Sequence, residues 1–261
     1  MADPNRRTRA LRGLAGLAVV FLLLEALTRA ELADPRYLPP ASSVLVATVR
    51  ILFDPSFVAA ALGTIGAWAF GLALAIAIAT PLGVLLGSSR RSYLASTTAV
   101  EFLRPIPSVA LIPLAVLILG SDLRMKAALI CYACVWPILF NTIYGMHDVD
   151  PIAKDTARSF GYRGAAVLWK VSLPSAAPFI YTGIRIAAAI ALIVGISTEL
   201  IASGSAGIGT WMYAHSESGI EREYVYAGTI FAGILGLTIN AVMVAGERRV
   251  FAWHQANRPP A

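Results

Sequence analysis

Residues 55–89, PSFVAAALGTIGAWAFGLALAIAIATPLGVLLGSS, contain no charged side chain. One bilayer crossing needs about 20 apolar residues, so this stretch is long enough to span a membrane, and Pro81 is expected to kink its inner end. Two further charge-free stretches, 127–147 and 224–246, have the same character. The sequence therefore predicts a chain that crosses a membrane several times.

The composition of the whole chain supports this prediction. Its 261 residues are 57% hydrophobic and 14% charged, with a mean hydropathy of +0.71. Soluble domains carry roughly 25% charged residues, so this chain has too little charge to cover a water-facing surface. Its two cysteines, Cys131 and Cys134, lie inside an apolar run without clustered histidines. We therefore interpret them as packing residues and predict neither a disulfide framework nor a metal site.

Three more spans complete the predicted bundle. Residues 13–29 are apolar apart from Glu25, and we interpret them as an anchor rather than a cleaved signal peptide, because no clear small-residue cleavage site follows Ala30. The two remaining spans carry charge: residues 99–119, with Glu101 and Arg104, and residues 176–202, with Arg185 and Glu199. The predicted fold is all-α, a polytopic membrane protein with six transmembrane helices.

The basic residues indicate the orientation. With both termini in the cytoplasm, the inner segments hold more than twice as many Arg and Lys residues as the outer loops, as the positive-inside rule requires. These charges form no basic, aromatic-interleaved face, so we predict no nucleic-acid binding. The resulting organisation is an N-terminal segment with the first span at 1–30, an outer loop at 31–57, a core of five spans at 58–250 and a cytoplasmic tail at 251–261.

The outer loop contains a short amphipathic segment. Pro40 suits a helix start, and apolar residues follow at helical spacing: Val44, Leu45, Leu52 and Phe53. We predict a helix that packs on the outer membrane surface or on neighbouring spans. The alternative is a docking surface for an external partner.

The inner loop, residues 146–175, predicts a charged helical hairpin. Asp148 or Asp150 can cap a helix with Pro151 at its first position, and Gly161 is suited to end it. A second short helix, 164–171, is expected to close at Leu173-Pro174. The first helix exposes small residues and one large apolar side chain, Phe160, which suits insertion into a groove of another protein. The alternative is a solvated hairpin without a partner.

This loop resembles a known motif, the EAA loop of ABC importer permease subunits. The residues that carry the resemblance, in type and spacing, are Asp155-Thr156-Ala157, Gly161 and Leu173-Pro174. The family commonly has Glu and Ala where this chain has Asp155 and Thr156, changes that roughly keep charge or size.

Three further strings resemble the nitrate, sulfonate and taurine branch of that family. They are LRPIPSVALIPL at 103–114, Leu38-Pro39-Pro40 ahead of Val44, and Glu199 ahead of Gly207-Ile208-Gly209. The resemblance extends over residues 36–250. It implies a type I ABC importer permease fold with cytoplasmic coupling helices.

The resemblance also implies partners. The chain has no G-x-x-x-x-G-K-[ST] phosphate loop, so we predict that it binds no cofactor and that ATP and Mg are bound by a separate ATPase subunit. The other implied partners are a second copy of the chain in a homodimer, an external solute-binding protein or lipoprotein, and membrane lipid. The implied contacts to the ATPase are Asp155, Thr156, Ala157, Arg158, Phe160, Gly161, Leu173 and Pro174. The chain itself is then not an enzyme.

Charged residues and prolines within the predicted spans indicate a pore lining. A mid-membrane ionisable side chain costs about 2.5–3.5 kcal/mol, and interrupted backbone hydrogen bonding is tolerated only beside protein or a wet cavity. Glu101 and Arg104 share a helix face and either pair structurally or gate. Glu199, expected near the outer mouth, either lines the pathway or accepts backbone and hydroxyl donors. The candidate pathway or gate residues are Glu101, Arg104, Pro105, Pro107, Ser108, Arg185 and Glu199.

The expected function is that of a transmembrane permease subunit in an ATP-driven importer. The branch implies a small anion such as nitrate, a sulfonate or taurine as substrate, with a pyrimidine-type cofactor precursor or an aromatic acid as the alternative. Two other functions remain open from the residues alone. They are an ATP-independent carrier or channel, and a membrane-embedded enzyme that uses Glu101, Glu199 or His215.

Overall fold

The computed structural model describes residues 4–30, 32, 37–89, 94, 101–102, 105–202, 206–218 and 222–251, which form helices and no strand. The helices are α1 (Pro4–Arg29), α2 (Ala41–Ile51), α3 (Pro55–Gly87), α4 (Ile112–Leu119), α5 (Leu123–His147), α6 (Pro151–Ser159), α7 (Ala165–Val167), α8 (Leu173–Ala202), α9 (Ile208–Ser218) and α10 (Arg222–Val250). A 3₁₀ turn, Ser108–Leu111, precedes α4, and a π-helical segment, Leu168–Ser172, joins α7 to α8. The predicted all-helical membrane fold is confirmed.

Five helices are long and apolar enough to cross a membrane. They are Leu11–Arg29, Pro55–Gly87, Leu123–His147, Ala165–Ala202 and Arg222–Val250. The three charge-free stretches each fall within one of these helices, because continuous apolar sequence at this length is stable only as a helix in a bilayer.

The predicted span at 99–119 is not one long helix in the described part of the chain. There residues 101–102 are helical, residues 105–107 are not, and the helical segment Ser108–Leu119 is shorter than a bilayer crossing. Pro107 directly before it is extended, with φ −68° and ψ 121°, and proline supplies no N–H for a helical hydrogen bond. Residue 104 lies outside the described residues.

The centre of the bundle consists of α3, α5 and α8. Their shared core contains Ala67, Ala75, Ile130, Ile138 and Ala191, all buried. Small residues allow the helix backbones to approach closely.

Glycines in α3 show how tight this packing is. A Cβ added at Gly71 would lie 2.6 Å from the Ile130 side chain, and one at Gly83 would lie 2.6 Å from Thr142. Both contacts are shorter than side chains allow, so the α3–α5 distance depends on these glycines.

Three helices begin at aspartate caps. The Asp54 carboxylate accepts the Ser56 N–H at 2.8 Å, and Asp122 caps α5 in the same way. The Ser56 hydrogen bonds hold the pKa of Asp54 below its usual value. Asp150 caps α6 by accepting the Ile152 N–H at 2.8 Å, so the predicted start of the loop helix is confirmed.

The predicted break at Leu173-Pro174 is wrong. Residues Ala165–Ala202 form one continuous helical rod, in which the π-helical segment Leu168–Ser172 directly precedes Pro174. A proline ring collides with the carbonyl four residues earlier in an α-helix, and the wider π-helical turn relieves that collision without ending the helix.

Helix α2 lies against α10. Its buried residues are Val44, Ala47 and Ile51. Of the predicted apolar stripe, Val44 is buried and Leu45, Leu52 and Phe53 are exposed, so the packing of this stripe on the membrane surface stays a prediction.

Candidate functional site

The loop helix α6 has one face against the protein and one face in solvent. Ala153 and Lys154 are half-buried and Ala157 is buried, whereas Ile152 and Phe160 are exposed, Phe160 to 80%. The predicted exposed apolar side chain is therefore present at Phe160. Ala157, predicted to contact a partner, instead faces the protein.

Gly161 ends α6 in a left-handed conformation, with φ +87°. Its N–H donates to the Arg158 carbonyl at 2.9 Å, and the Tyr162 N–H donates to the Ala157 carbonyl at 3.1 Å. A residue with a side chain is strained at this φ. The sequence prediction of a glycine cap is confirmed, and the cap turns the chain so that Phe160 projects from the helix end.

The other predicted contact residues of this loop differ in exposure. Asp155, Thr156 and Arg158 are exposed, and Asp155 accepts a hydrogen bond from Arg158 at 2.8 Å. Further along, Leu173 packs beside the cluster of Met146, Ala176 and Ile180, and Pro174 is exposed.

Glu199 lies near the far end of α8 and is completely buried. Its carboxylate accepts hydrogen bonds from the Lys126 ammonium at 2.8 Å, the Thr64 hydroxyl at 2.9 Å and the Gly209 N–H at 3.0 Å. A buried carboxylate needs such compensation for its lost hydration. The structure therefore favours the acceptor interpretation of Glu199.

The partners of Glu199 bind one another as well. Lys126 donates a second hydrogen bond to the Ala206 carbonyl at 2.9 Å, and the Thr64 hydroxyl accepts the Ile208 N–H at 2.9 Å. We call Thr64, Lys126 and Glu199 with residues 206–209 the outer network. It joins α3, α5, α8 and the start of α9.

Two glycines make room for the outer network. A Cβ added at Gly207 would lie 2.0 Å from the Glu199 carboxyl carbon, and one at Gly209 would lie 2.6 Å from the Ile196 carbonyl oxygen. The backbone can reach the carboxylate only because these residues lack side chains.

The sequence analysis singled out Glu199 but missed two of its partners, Lys126 and Thr64. Lys126 directly precedes the charge-free stretch 127–147 and is buried against Glu199. From sequence alone, a lysine at the boundary of a span is interpreted as a loop residue that indicates orientation. Only the contact with Glu199 in the folded chain shows that Lys126 is buried. Thr64 gave no signal because hydroxyls are common in spans, where they bond to their own helix.

A second ion pair lies nearer the loop end of α8. Arg185 donates to Glu247 of α10 at 2.7 Å, and both side chains are partly buried. Beside it, the Tyr181 hydroxyl donates to the Met243 carbonyl at 2.8 Å. We call these residues the inner clamp, since they join α8 to α10. Arg185 was predicted as a pathway residue, and Glu247 was not singled out.

The remaining predicted pathway residues lie in or near the proline-rich segment before α4. Glu101, Pro105 and Pro107 are exposed and Ser108 is half-buried, while Arg104 lies outside the described residues. Among the described residues, no hydrogen bond joins this group to the outer network or the inner clamp. The predicted pathway residues that the structure describes therefore lie in three separate parts of it: the outer network, the inner clamp and the proline-rich segment.

The two cysteines of the apolar run are buried, free thiols. Cys134 donates a hydrogen bond to the Ala187 carbonyl at 3.2 Å, and both cysteines pack in the core shared by α3, α5 and α8. This is the packing role predicted for them.

Comparisons with known proteins show which family this chain resembles. Residues 79–252 match the family model described as binding-protein-dependent transport system inner membrane component. A Methanocaldococcus jannaschii protein named as an ABC transporter permease is 35% identical over 71% of this chain and 69% of its own length. The taurine transport system permease protein of Escherichia coli is 28% identical over 91% of this chain and 88% of its own length.

A solved structure has the same fold. It is a chain of the MetNI methionine ABC transporter in an inward facing conformation, with a TM-score of 0.64 over 76% of this chain and 98% of that chain, at 21% identity.

Proposed function

This chain belongs to the family of binding-protein-dependent transport system inner membrane components, and we propose that two copies of it form the pathway of an ATP-driven importer for a small anion. The family assignment supports this function over the carrier, channel and membrane-enzyme alternatives. The family implies a separate ATPase and an external binding protein as partners. We propose the finer assembly: a homodimer in lipid, with ATP and Mg bound by the ATPase and both termini in the cytoplasm.

One observation carries the proposed mechanism. The loop helix α6 presents Phe160 and Ile152 to solvent while its opposite face packs against the protein. Isolated apolar side chains on a charged helix are suited to a groove of a partner, and a large buried anchor supplies most of the binding free energy in such contacts. We propose that the ATPase receives this face.

The path from α6 into the membrane is short. The loop leads through α7 and the π-helical segment into α8 without a break in the helix, and we propose that Ala165–Ala202 moves as one rod. ATP binding that draws the two ATPase subunits together would move α6 and tilt this rod. Such a rigid-body motion alternates access between the two sides of a bundle.

The proposed contacts to the ATPase follow from exposure. Asp155, Thr156, Arg158, Phe160 and Gly161 lie on or beside the solvent face. Ala157, Leu173 and Pro174 do not contact the ATPase in this proposal. They position α6 and the start of α8.

The proposed gate lies at the other end of the same rod. The outer network holds the chain segment 206–209 against Glu199, so tilting α8 would pull on this segment. Arg185 contributes through the inner clamp. For Glu101, Arg104, Pro105, Pro107 and Ser108 we propose a place along the pathway, because interrupted helices in a membrane require a protein-lined or aqueous surrounding.

The proposed substrate is a small anion of the nitrate, sulfonate or taurine type. The support is the 28% identity, over nearly the whole chain, to a permease named for taurine transport. A pyrimidine-type precursor or an aromatic acid is the alternative substrate class. Uptake competition with taurine, nitrate and a pyrimidine separates the two.

The test of coupling is Phe160→Ala in proteoliposomes that contain the ATPase and the binding protein. Phe53→Ala is the matched control, because Phe53 is 81% exposed in the other half of the structure and Phe160 is 80% exposed. We expect Phe160→Ala to weaken ATPase association by about tenfold or more, the loss typical of a central aromatic anchor, and to lower uptake with it. Unchanged association and uptake in Phe160→Ala would contradict the proposal.

A further inference from the structure

A cleft of about 350 Å³ lies behind the loop helix, between it and the ends of α3 and α5. Its lining is Gly87, Ser88, Met146, Lys154, Arg158, Gly164, Ala165, Val167, Leu168 and Ser172. The cleft is therefore bounded by the bundle on one side and by the inward face of α6 on the other.

The lining carries positive charge that the described residues do not neutralise. Arg158 is paired with Asp155 at 2.8 Å, and the Asp150 carboxylate caps α6. Lys154 is half-buried on the inward face. Its backbone N–H donates to the Asp150 carbonyl at 3.3 Å, but no ion pair or hydrogen bond joins its ammonium to another residue in the described ranges. A partly buried ammonium without a counter-charge favours a bound anion.

The lining also contains two serine side chains. The buried Ser172 is part of the lining. Ser88 lines the cleft at the end of α3, and its hydroxyl donates to the Val84 carbonyl. The volume admits a phosphate with a small polar substituent and is too small for a folded partner. Lysine is a common point-charge binder of phosphate.

We propose that this cleft binds the phosphate headgroup of an anionic phospholipid from the cytoplasmic leaflet. The cleft lies where α3 and α5 end, at the level of the membrane surface, and basic pockets between the inner ends of membrane helices attract such headgroups. This placement rests on the proposed orientation, with the loop in the cytoplasm.

A bound headgroup would link α6 to the membrane bundle. Ile152 and Phe160 do not line the cleft and remain available to the ATPase, whereas Arg158 both lines the cleft and is a proposed ATPase contact. The lipid therefore supports the position of the loop helix and leaves its exposed apolar side chains to the partner.

The test uses the three lysines of the chain, Lys126, Lys154 and Lys170. The full-length protein is placed in nanodiscs of phosphatidylcholine, with or without phosphatidylglycerol, and amine acetylation is followed by peptide mass spectrometry. Lys170, exposed and 4.5 Å above the Tyr162 ring, is the internal reference. We expect phosphatidylglycerol to slow acetylation of Lys154 relative to Lys170 by about fivefold, as one lysine–headgroup contact implies.

Variants give a second measurement. Lys154→Gln should retain about fivefold less phosphatidylglycerol through delipidation than the wild type, and Lys170→Gln, which removes the same charge from the same loop, should retain the wild-type amount. Equal retention by both variants, or equal acetylation of Lys154 with and without phosphatidylglycerol, overturns the proposal.

Two further arms separate the sources of the anion. If inorganic phosphate protects Lys154 equally well in phosphatidylcholine discs, the ligand is a free oxyanion and the lipid assignment is wrong. If the purified ATPase alone protects Lys154, the cleft takes an acidic segment of that subunit, which also overturns the proposal. Neither measurement involves transport or ATP hydrolysis, so failure here is distinguishable from failure of the proposed function.

Discussion

Helix α8 carries two ion pairs of nearly the same length in very different surroundings, one near its far end at Glu199 and one near its middle at Arg185. In the outer network, Lys126 and Glu199 are 2.8 Å apart with side chains 2% and 0% exposed. In the inner clamp, Arg185 and Glu247 are 2.7 Å apart with side chains 33% and 26% exposed. The two pairs therefore differ in the burial of their side chains and not in the distance between the charged atoms.

Burial changes what each pair contributes. A buried pair has lost its hydration, so removing one partner leaves an uncompensated charge, whereas a partly exposed pair is replaced by water. Loss of one charged partner should therefore disrupt the whole outer network and with it the contacts among the four elements that it joins. The inner clamp should behave as an adjustable contact between two helices.

The largest expected effect comes from breaking the outer network on one side. Glu199→Ala leaves the Lys126 ammonium buried without its counter-charge, which should lower the free energy of unfolding by about 3–5 kcal/mol. Thermal denaturation and monodispersity in detergent measure this loss.

The double variant Lys126→Met/Glu199→Met is its control. Replacing both partners by apolar side chains removes the unpaired charge, so the double variant should be more stable than Glu199→Ala. A double variant as unstable as Glu199→Ala would show that the loss does not come from the unpaired Lys126 charge and would contradict this explanation.

The next effect concerns the space around Glu199. Gly207→Ala places a methyl group where the carboxylate lies, at 2.0 Å, and should lower stability by about 1–3 kcal/mol as overpacking does. Gly66→Ala is the matched control, since a Cβ there meets nothing within 4 Å. It should leave the melting temperature unchanged or raise it. Equal melting temperatures for the two variants would contradict the geometry.

A smaller effect is expected at the inner clamp. Arg185→Ala should cost no more than about 1 kcal/mol, because the Glu247 side chain is 26% exposed and lies near the end of α10. The same thermal denaturation checks this value. A loss as large as that of Glu199→Ala would remove the distinction between the two ion pairs.

The smallest effect is expected in the loop itself. The pair of Asp155 and Arg158 is 2.8 Å long with side chains 71% and 63% exposed, so Arg158→Ala should not change the melting temperature measurably. ATPase association of the same variant tests its proposed contact role separately. A clear loss of stability would show that this exposed pair stabilises the fold as the buried Lys126–Glu199 pair does.

Sequence patterns predicted the membrane-spanning helices and the loop helix well, each for a local reason. Long charge-free stretches such as 55–89 can only be membrane helices. The start and end of α6 follow from a cap at Asp150 and a glycine at 161, which act within a few residues of themselves.

Tertiary features were less accessible to sequence reasoning. Lys126 lies 73 residues from Glu199 in sequence, and no local pattern links them. The orientation of α6, which buries Ala157, depends on what the loop helix packs against. The π-helical segment before Pro174 accommodates the proline where a break was predicted, because its wider turn relieves the collision of the ring with the preceding turn.

The most direct test of the central claim is a crosslink from the loop helix to the ATPase. A cysteine introduced by Phe160→Cys, and in a second variant by Phe53→Cys, is treated with a short bifunctional thiol reagent in membranes that contain the ATPase; both native thiols are buried. The account predicts a crosslinked product between the ATPase and the Phe160→Cys chain, sensitive to ATP, and none with the Phe53→Cys chain. No product at position 160, or an equal product at both positions, would contradict the assignment of α6 as the coupling element.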